Sequence, residues 1–386
     1  MSLLSLANKS QIKKERIKEI LINLLVTIYI SLALILELKI DIGFPISEAL
    51  IVLVGTIAIF AIVLNIYRFS LYKVNKVVIL IFILLFFIFF NSIFIRNHLL
   101  IGAIFNLFTS TLISFQLIRN KNSEYLYLLP FWFLTIYILI KLSGNPDPNQ
   151  VFIRSRNYIS FYLIITVIPY YFLNFKNQKS ASLIPVFFVL ILSIYSLSRS
   201  GSASALILFI AVMLSKGFNK KTLYILLFTF FILVLFILSY LLANYQEASE
   251  ISRLFSILDS LQNGGRSKIL RNYIGELDFI GFMYGIDTDI PEILDIGGSY
   301  IPGHVHSSIL NFISVIGVSF ILCLYYLLRT IKLLYKKNTP MLLLLVAMLL
   351  RSMTEIGVLF SYFDYVIWVF ILTMFFNDKY NILRKA

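Results

Sequence analysis

Two short segments of this chain combine an arginine with a glycine-containing turn directly before a helical pattern. The first, Ser-Leu-Ser-Arg-Ser-Gly-Ser at 196–202, contains Arg199, and the second, Gln-Asn-Gly-Gly-Arg-Ser-Lys at 262–268, contains Arg266. The first amide groups of a helix point at the preceding turn and favour an anion there. An arginine beside them adds a planar group of donors that matches phosphate oxygens two at a time. The two segments therefore predict a site for a diphosphate group.

Two histidines lie where a polar stretch leads into an apolar run. His304 and His306 belong to Gly-His-Val-His-Ser-Ser-Ile-Leu at 303–310. Histidine has an unperturbed pKa near neutral pH, so either residue suits a general base or a proton shuttle. The same pattern also suits a helix cap or a contact with water. A metal site would need a third ligand, which the spacing of the chain does not provide.

Five further charged residues are weaker candidates for the same chemistry. Arg154, Arg156 and Arg271 could add donors for phosphate, although each also suits the membrane interface, where long basic side chains keep their charge in water. Arg351 and Glu355 stand four residues apart. That spacing predicts an ion pair on one helix face, and a contact with a sugar hydroxyl is the alternative.

The composition of the chain identifies the medium in which these residues act. Of its 386 residues 60% are apolar and only 13% are charged. A soluble protein of this length needs a more polar surface, whereas apolar runs of about 20 residues match the thickness of a bilayer core. The chain is therefore predicted to be an all-α, polytopic membrane protein that forms one transmembrane domain over residues 1–386.

The apolar runs predict about twelve transmembrane helices. Their approximate bounds are 20–38, 46–66, 77–95, 98–118, 125–142, 157–174, 182–197, 201–215, 222–243, 305–328, 340–352 and 357–376. The stretch at 20–38 is too long for a signal peptide and lacks a cleavage site of small residues, so it is predicted to remain as the first span.

Basic residues predict the orientation of the bundle. With both termini in the cytoplasm, 22 of the 33 lysines and arginines lie on the cytoplasmic side and 11 on the outer side. This follows the positive-inside rule and explains the net charge of +14 without nucleic acid. Arginine makes up 8 of the 11 outer basic residues but only 5 of the 22 inner ones. Because arginine is the better phosphate ligand, this bias predicts a phosphate-containing ligand on the outer face.

One outer loop is long enough to hold a site. Residues 244–304, between the ninth and tenth predicted spans, include stretches with helical spacing at 251–262 and 267–279 and a loop rich in glycine and proline at 281–303. A long ordered loop on one face of a bundle is a usual place for function.

Two other classes of function are less well supported. The chain has no matching pair of broken helices in two halves, which transporters often have. An Asp-x-Asp at 287–289 would suggest a metal-bound nucleotide sugar, but such sugars are cytoplasmic and this loop is predicted to lie outside. We therefore predict neither a metal nor a cofactor.

Four of these motifs, in this order, resemble the O-antigen polymerase (Wzy) and O-antigen ligase family. His306-Ser307, followed by nine residues and then Gly317, is similar to the histidine motif of that family. Phe320 stands where the motif usually has glycine, threonine or tyrosine, which favours the polymerase over the ligase. The other three motifs are the small-residue arginine turn at 198–201, Gly265-Arg266 in the large loop, and the final short turn at 351–355. The resemblance covers about residues 190–360.

The resemblance implies a metal-independent membrane glycosyltransferase of the GT-C type in the bacterial inner membrane, active on its periplasmic face. Its substrates would be glycans linked to undecaprenyl diphosphate, both as donor and as acceptor, and a chain-length regulator would be a protein partner. The resemblance further implies that Arg199 and Arg266 hold the donor diphosphate and that His306, or else His304, activates the acceptor hydroxyl. A ligase that transfers glycan to lipid A core is the first alternative, and a flippase for lipid-linked glycan is the second.

Overall fold

The fold is known from a computed structural model. It describes residues 3–40, 47–66, 71–95, 100–120, 123–145, 147–152, 156–217, 271–286, 307–355 and 361–380. Within these ranges all regular secondary structure is helical, so the predicted all-α class is confirmed for the described part of the chain.

Thirteen helices are described, and we number them in chain order. They are α1 Leu3–Leu38, α2 Glu48–Ile66, α3 Leu71–Ile95, α4 Leu100–Arg119, α5 Leu129–Gly144, α6 Asn157–Lys176, α7 Ile184–Tyr195, α8 Arg199–Ser215, α9 Phe279–Tyr284, α10 Ser308–Ile316, α11 Phe320–Lys337, α12 Thr339–Ser352 and α13 Tyr365–Tyr380. Short 3₁₀ helices lie at Glu124–Leu128, Pro148–Gln150 and Gly317–Ser319.

Six helical segments are long and apolar enough to cross a membrane. They are Lys14–Leu38, Lys76–Ile95, Ile101–Arg119, Glu124–Gly144, Asn157–Lys176 and Ser308–Lys337, and five apolar helices are shorter. These segments indicate an integral membrane protein. The twelve crossings remain a prediction, because the shorter helices are below the usual length of a span and residues 222–243 lie outside the described part.

Helix α6 forms the centre of the bundle. Nearly every side chain from Ile159 to Lys176 is buried, on all sides of the helix. The sequence of α6 has little amphipathic pattern, which is typical of a helix surrounded by other helices. It packs against α5, α7, α8 and α12, and an edge-to-face contact of 5.6 Å between the rings of Phe172 and Phe370 joins it to α13. The neighbours of α6 are therefore fixed relative to one another.

The two ends of the bundle are defined by α6. We call the end at which α6, α8 and α10 begin the upper end, and the end at which α6 and α11 finish the lower end. At the lower end, Lys176 Nζ donates to the main-chain oxygens of Leu117 and Ile118 at 2.9 Å and also to that of Asn120. The last carbonyls of a helix lack partners within it, so this buried lysine caps α4.

Several helices extend beyond the apolar patterns that predicted them. Residues 3–19, 71–76 and 329–337 were expected to be polar segments outside the spans, but all three are helical. The physical reason is that lysine and glutamate are good helix formers, so a helix continues into water after its apolar part ends.

Two predicted spans differ from the structure at a break. The run 305–328 was expected to be one helix, but Gly317 has a φ of +51° and separates α10 from α11. The last span was expected to start at 357, whereas α13 starts at Tyr365, after a turn in which the Asp364 carboxylate accepts from the Ser361 main-chain N–H at 2.9 Å. Apolar composition did not reveal either break, because glycine and serine occur within long spans as well.

Of the large loop, 244–304, the structure describes only residues 271–286. Helix α9 covers 279–284, so the glycine-rich segment expected from 281 onward begins as a helix. It packs against α3 and the break at Gly317, where Ile286 N–H donates to the Ser314 oxygen at 3.0 Å. Asn91 Nδ2 donates to the Tyr284 and Ser314 oxygens at 2.7 and 3.0 Å. The end of the loop segment is therefore attached to the bundle.

Candidate functional site

Three helix starts meet around one buried arginine at the upper end. Arg351, near the end of α12, is fully buried. Its Nη1 donates to Ser200 Oγ at 2.7 Å and to Thr354 Oγ1 at 3.0 Å, and its Nη2 donates to the Asn157 oxygen at 2.6 Å. Ser200 is the second residue of α8 and Asn157 is the first of α6. Arg351 therefore fixes the starts of α6 and α8 to the end of α12.

The same arginine contacts a ring and a carboxylate. Its guanidinium carbon lies 5.6 Å from the centre of the Phe161 ring, within range of a cation–π contact. Its Nη1 lies 3.9 Å from Glu355 Oε1, at the outer limit of an ion pair. The predicted pair of Arg351 and Glu355 is present but loose, and the shorter contacts go to hydroxyls and a main-chain oxygen. Arg351 therefore acts through its fork of donors, which holds the helix ends together.

Helix α10 is joined to this cluster through Glu355. The Glu355 main-chain oxygen accepts from Ser308 N–H at 3.1 Å and from Ser308 Oγ at 2.5 Å. Ser307 caps the same helix, with its Oγ accepting from Leu310 N–H at 3.4 Å. The start of α10 thus lies against the end of α12.

The turn between α7 and α8 presents Arg199 at the upper surface. Leu197 has a φ of +53°, which is rare for a branched side chain, and Ser198 Oγ accepts from Gly201 N–H at 3.3 Å as the cap of α8. A Cβ on Gly201 would lie 2.1 Å from Ser160 Oγ, so only glycine allows α8 to approach α6 this closely. The Arg199 side chain is exposed. The prediction of a small-residue turn that carries this arginine agrees with the described geometry.

We call the residues that meet here the Arg351 cluster, namely Arg351, Glu355, Ser200, Thr354, Asn157, Ser308 and Phe161. Two predicted arginines flank it in sequence. Arg156 precedes Asn157 and is half-buried, and Arg199 precedes Ser200. The ends of three helices thus bring four of the predicted residues to one end of the bundle.

Arg271 is not joined to the Arg351 cluster by a hydrogen bond or ion pair among the described residues. It is exposed, on the helical turn 271–275. Its neighbour Tyr273 is buried, and burial raises the pKa of that hydroxyl above its usual value of 10.0. His304, His306, Arg266 and Arg154 lie outside the described residues.

Sequence reasoning missed the polar residues that organise the site. Asn157 contributes its main-chain oxygen, and Ser308 donates from its main-chain N–H and its hydroxyl to the main-chain oxygen of Glu355. No side-chain pattern predicts contacts with main-chain oxygens. Ser200 was visible only as a small residue next to Arg199, and Thr354 only as part of the final short turn at 351–355. The one sequence feature that could have indicated them is their position, because serine and threonine side chains at helix starts and in short turns often form hydrogen bonds with nearby main-chain groups.

The arrangement suits an anion more than a cation. Helix starts carry a partial positive charge, and three of them lie together here with two arginines next to them. Among the described residues, no group of three histidine, cysteine, aspartate or glutamate side chains could hold a metal ion.

Comparison with known proteins gives no further assignment: no family model, no curated protein and no solved structure matches this chain.

Proposed function

We propose that this protein is a polymerase that joins oligosaccharide repeat units carried on undecaprenyl diphosphate into O-antigen or a related surface polysaccharide. The observation that carries the proposal is the meeting of three helix starts around Arg351, with Arg156 and Arg199 beside them. Such an end favours a ligand with several negative charges, and a diphosphate on a lipid reaches it from within the membrane.

The chemistry requires stabilisation of a leaving group. As the acceptor hydroxyl bonds to the sugar carbon, the bond from that carbon to the diphosphate oxygen breaks and negative charge grows on the diphosphate. Donors that are already in place stabilise this charge without having to reorganise. Arg199 and Arg266 take that role in our proposal, and the acceptor proton passes to His306, with His304 as the alternative base.

The proposal also specifies the orientation of the protein in the membrane and its fold. The upper end faces the periplasm, both termini lie in the cytoplasm, and twelve spans form a bundle of the GT-C type in the inner membrane. The support is that the lower end carries the helix ends rich in lysine, at Lys176, Lys216 and 329–337, which the positive-inside rule assigns to the cytoplasm. Attachment of a reporter to residue 145 or 217 tests this: the proposal expects a periplasmic reporter at 145 and a cytoplasmic one at 217.

Deletion of the gene and electrophoresis of the surface glycan tests the class of function. A polymerase predicts that the deleted strain makes glycan with one repeat unit only. Loss of all surface glycan would instead identify a flippase. Accumulation of full-length polymer on the lipid carrier would identify a ligase. Complementation with the unaltered gene should restore long chains, which serves as the control.

A further inference from the structure

Helix α11 exposes one continuous stripe whose chemistry changes halfway along its length. The exposed side chains recur every three or four residues, so they lie on one face of the helix. They are Ile321, Leu324, Tyr325, Leu328, Arg329, Lys332, Tyr335 and Lys336. The first four are apolar or aromatic, and three of the last four are basic. The buried side of the same helix, at Cys323, Thr330 and Leu334, packs against the bundle.

The change in chemistry matches the depth of the membrane. The segment from Ser308 to Lys337 has 30 residues. Helix α11 finishes at the lower end, where Asn338 Nδ2 donates to the Phe175 oxygen at 3.4 Å, so its basic residues lie nearer the membrane surface than Ile321 and Leu324 do. The basic half of the stripe therefore lies at the level of the lipid headgroups, at the lower end of the bundle. The apolar half lies at the level of the acyl chains.

The three basic side chains of the stripe are available to a ligand. Among the residues whose side chains the structure describes, Arg329, Lys332 and Lys336 have no carboxylate partner. The guanidinium carbon of Arg329 lies 5.0 Å from the centre of the Tyr325 ring, one turn nearer the apolar half. This contact holds the charge at the boundary between acyl chains and headgroups, and it leaves the donors of the guanidinium free to bind oxygen.

We propose that this stripe, Ile321 to Lys336, binds an anionic phospholipid of the leaflet at the lower end of the bundle. The phosphate lies against Arg329, Lys332 and Lys336, and the acyl chains run along Ile321, Leu324 and Leu328. The basic half of the stripe matches the negative charge of a phosphate, and the apolar half continues along the same helix face. Both features together favour a lipid over a soluble anion. The ligand site is separate from the Arg351 cluster and does not depend on the proposed function.

General reasons for basic residues do not account for this arrangement. Lysines in a last helical turn suit the helix dipole, and lysines on one side of a membrane set topology. Neither effect requires three cations without a carboxylate partner among the described side chains to continue an exposed apolar stripe on the same helix face. Lys14 and Lys18 on α1 and Lys216 directly after α8 serve topology at the same end from two separate helices, so together they provide a charge-matched comparison.

Native mass spectrometry of the purified full-length chain tests the proposal. Phosphatidylglycerol and phosphatidylcholine with identical acyl chains are titrated in turn. Since a basic residue near an anionic surface strengthens binding roughly fivefold, the variant R329Q/K332Q/K336Q should bind phosphatidylglycerol about 100-fold more weakly than the unaltered chain. The variant K14Q/K18Q/K216Q should change that affinity by less than about threefold. Equal affinity for the two lipids, or an equal loss in both variants, would overturn the proposal.

Two further measurements distinguish a lipid site from a site for a soluble phosphate and from a purely structural effect of the substitutions. Glycerol phosphate in excess should not displace the bound lipid, because it lacks acyl chains, and displacement would refute a lipid-specific site. The variant R329K/K332R/K336R retains charge and should bind within a few-fold of the unaltered chain. Should the glutamine triple variant fail to fold, the single variants replace it. Each single variant should then bind phosphatidylglycerol roughly fivefold more weakly than the unaltered chain. Unchanged affinity in all of them would refute the site.

Discussion

The Nη1 atom of Arg351 lies 2.7 Å from Ser200 Oγ, although the two residues are separated by 151 positions in the chain. Ser200 follows Arg199, and Arg351 also holds the Asn157 oxygen next to Arg156. One buried guanidinium thus sets the positions of two turns that carry exposed or half-exposed arginines. Arg351 is committed to contacts within the protein, so we assign it a positioning role and leave phosphate binding to Arg199.

Replacement of Arg351 by alanine should strongly destabilise the protein. Removal of one partner from a buried, hydrogen-bonded charge typically costs roughly 3–5 kcal/mol. Arg351→Lys retains the charge but loses the planar fork of donors. Its unfolding temperature should therefore lie between that of Arg351→Ala and that of the unaltered chain. Thermal unfolding in detergent measures this. Arg16→Ala, at an exposed position, is the control, and an unfolding temperature for Arg351→Ala equal to that of the control would exclude the positioning role.

Much of the fold follows from the sequence, because apolar runs of span length have few alternatives in a bilayer. The span predicted at 157–174 coincides with α6, Asn157–Lys176, to within two residues at each end. The break at Gly317 was not predicted, since it depends on contact with Met283 and Gly285 in a distant segment. A contact between segments that are far apart in the chain is determined by tertiary packing, so no local sequence pattern predicts it.

Gly201 is predicted to tolerate no larger residue. A Cβ there would lie 2.1 Å from Ser160 Oγ and 2.5 Å from Ser160 Cβ, so Gly201→Ala forces α8 away from α6. Overpacking of this kind typically costs about 1–3 kcal/mol. In the double variant Gly201→Ala/Ser160→Gly the clash is partly relieved, so it should unfold at a higher temperature than Gly201→Ala alone. If the effects of the two substitutions on the free energy of unfolding were strictly additive, direct contact between positions 201 and 160 would be contradicted.

Gly285 is predicted to hold the loop segment against α10. Its φ of +103° suits glycine, and an added Cβ would lie 1.9 Å from the Ser314 oxygen, which belongs to the backbone and cannot turn away. Gly285→Ala should therefore release residues 279–286, and hydrogen exchange in α9 should accelerate about 10-fold or more. Gly275→Ala, where a Cβ meets open space, is the matched control. Equal exchange in both variants would show that the contact is unimportant.

The site was predictable to the extent that it is local. The turn at Arg199 has a local signature, and so does the capped helix start after His306, because serine next to a helical pattern predicts a cap. That Asn157, Ser200 and Ser308 meet at Arg351 and Glu355 was not predictable. The contacts use main-chain oxygens and hydroxyls from helices far apart in sequence, and such groups occur throughout any bundle.

Arg266→Lys should reduce the proposed activity even though the charge is conserved. Lysine offers a single ammonium group and loses the bidentate contact with a diphosphate. We expect the rate of polymer formation by the purified, reconstituted protein to fall about 10-fold or more. Lys268→Arg, two residues away, serves as the control for a change of basic side chain in the same segment. Full activity of Arg266→Lys would argue against bidentate binding.

The most direct test of the proposed diphosphate binding uses single variants in a strain that lacks the chromosomal gene. Arg199→Ala, Arg266→Ala and His306→Ala are each expressed, with Arg16→Ala as the control, and glycan length is measured by electrophoresis. We predict that each of the three leaves mainly one-repeat glycan while the control makes long chains. Long chains of normal abundance in all three variants would contradict diphosphate binding at this end.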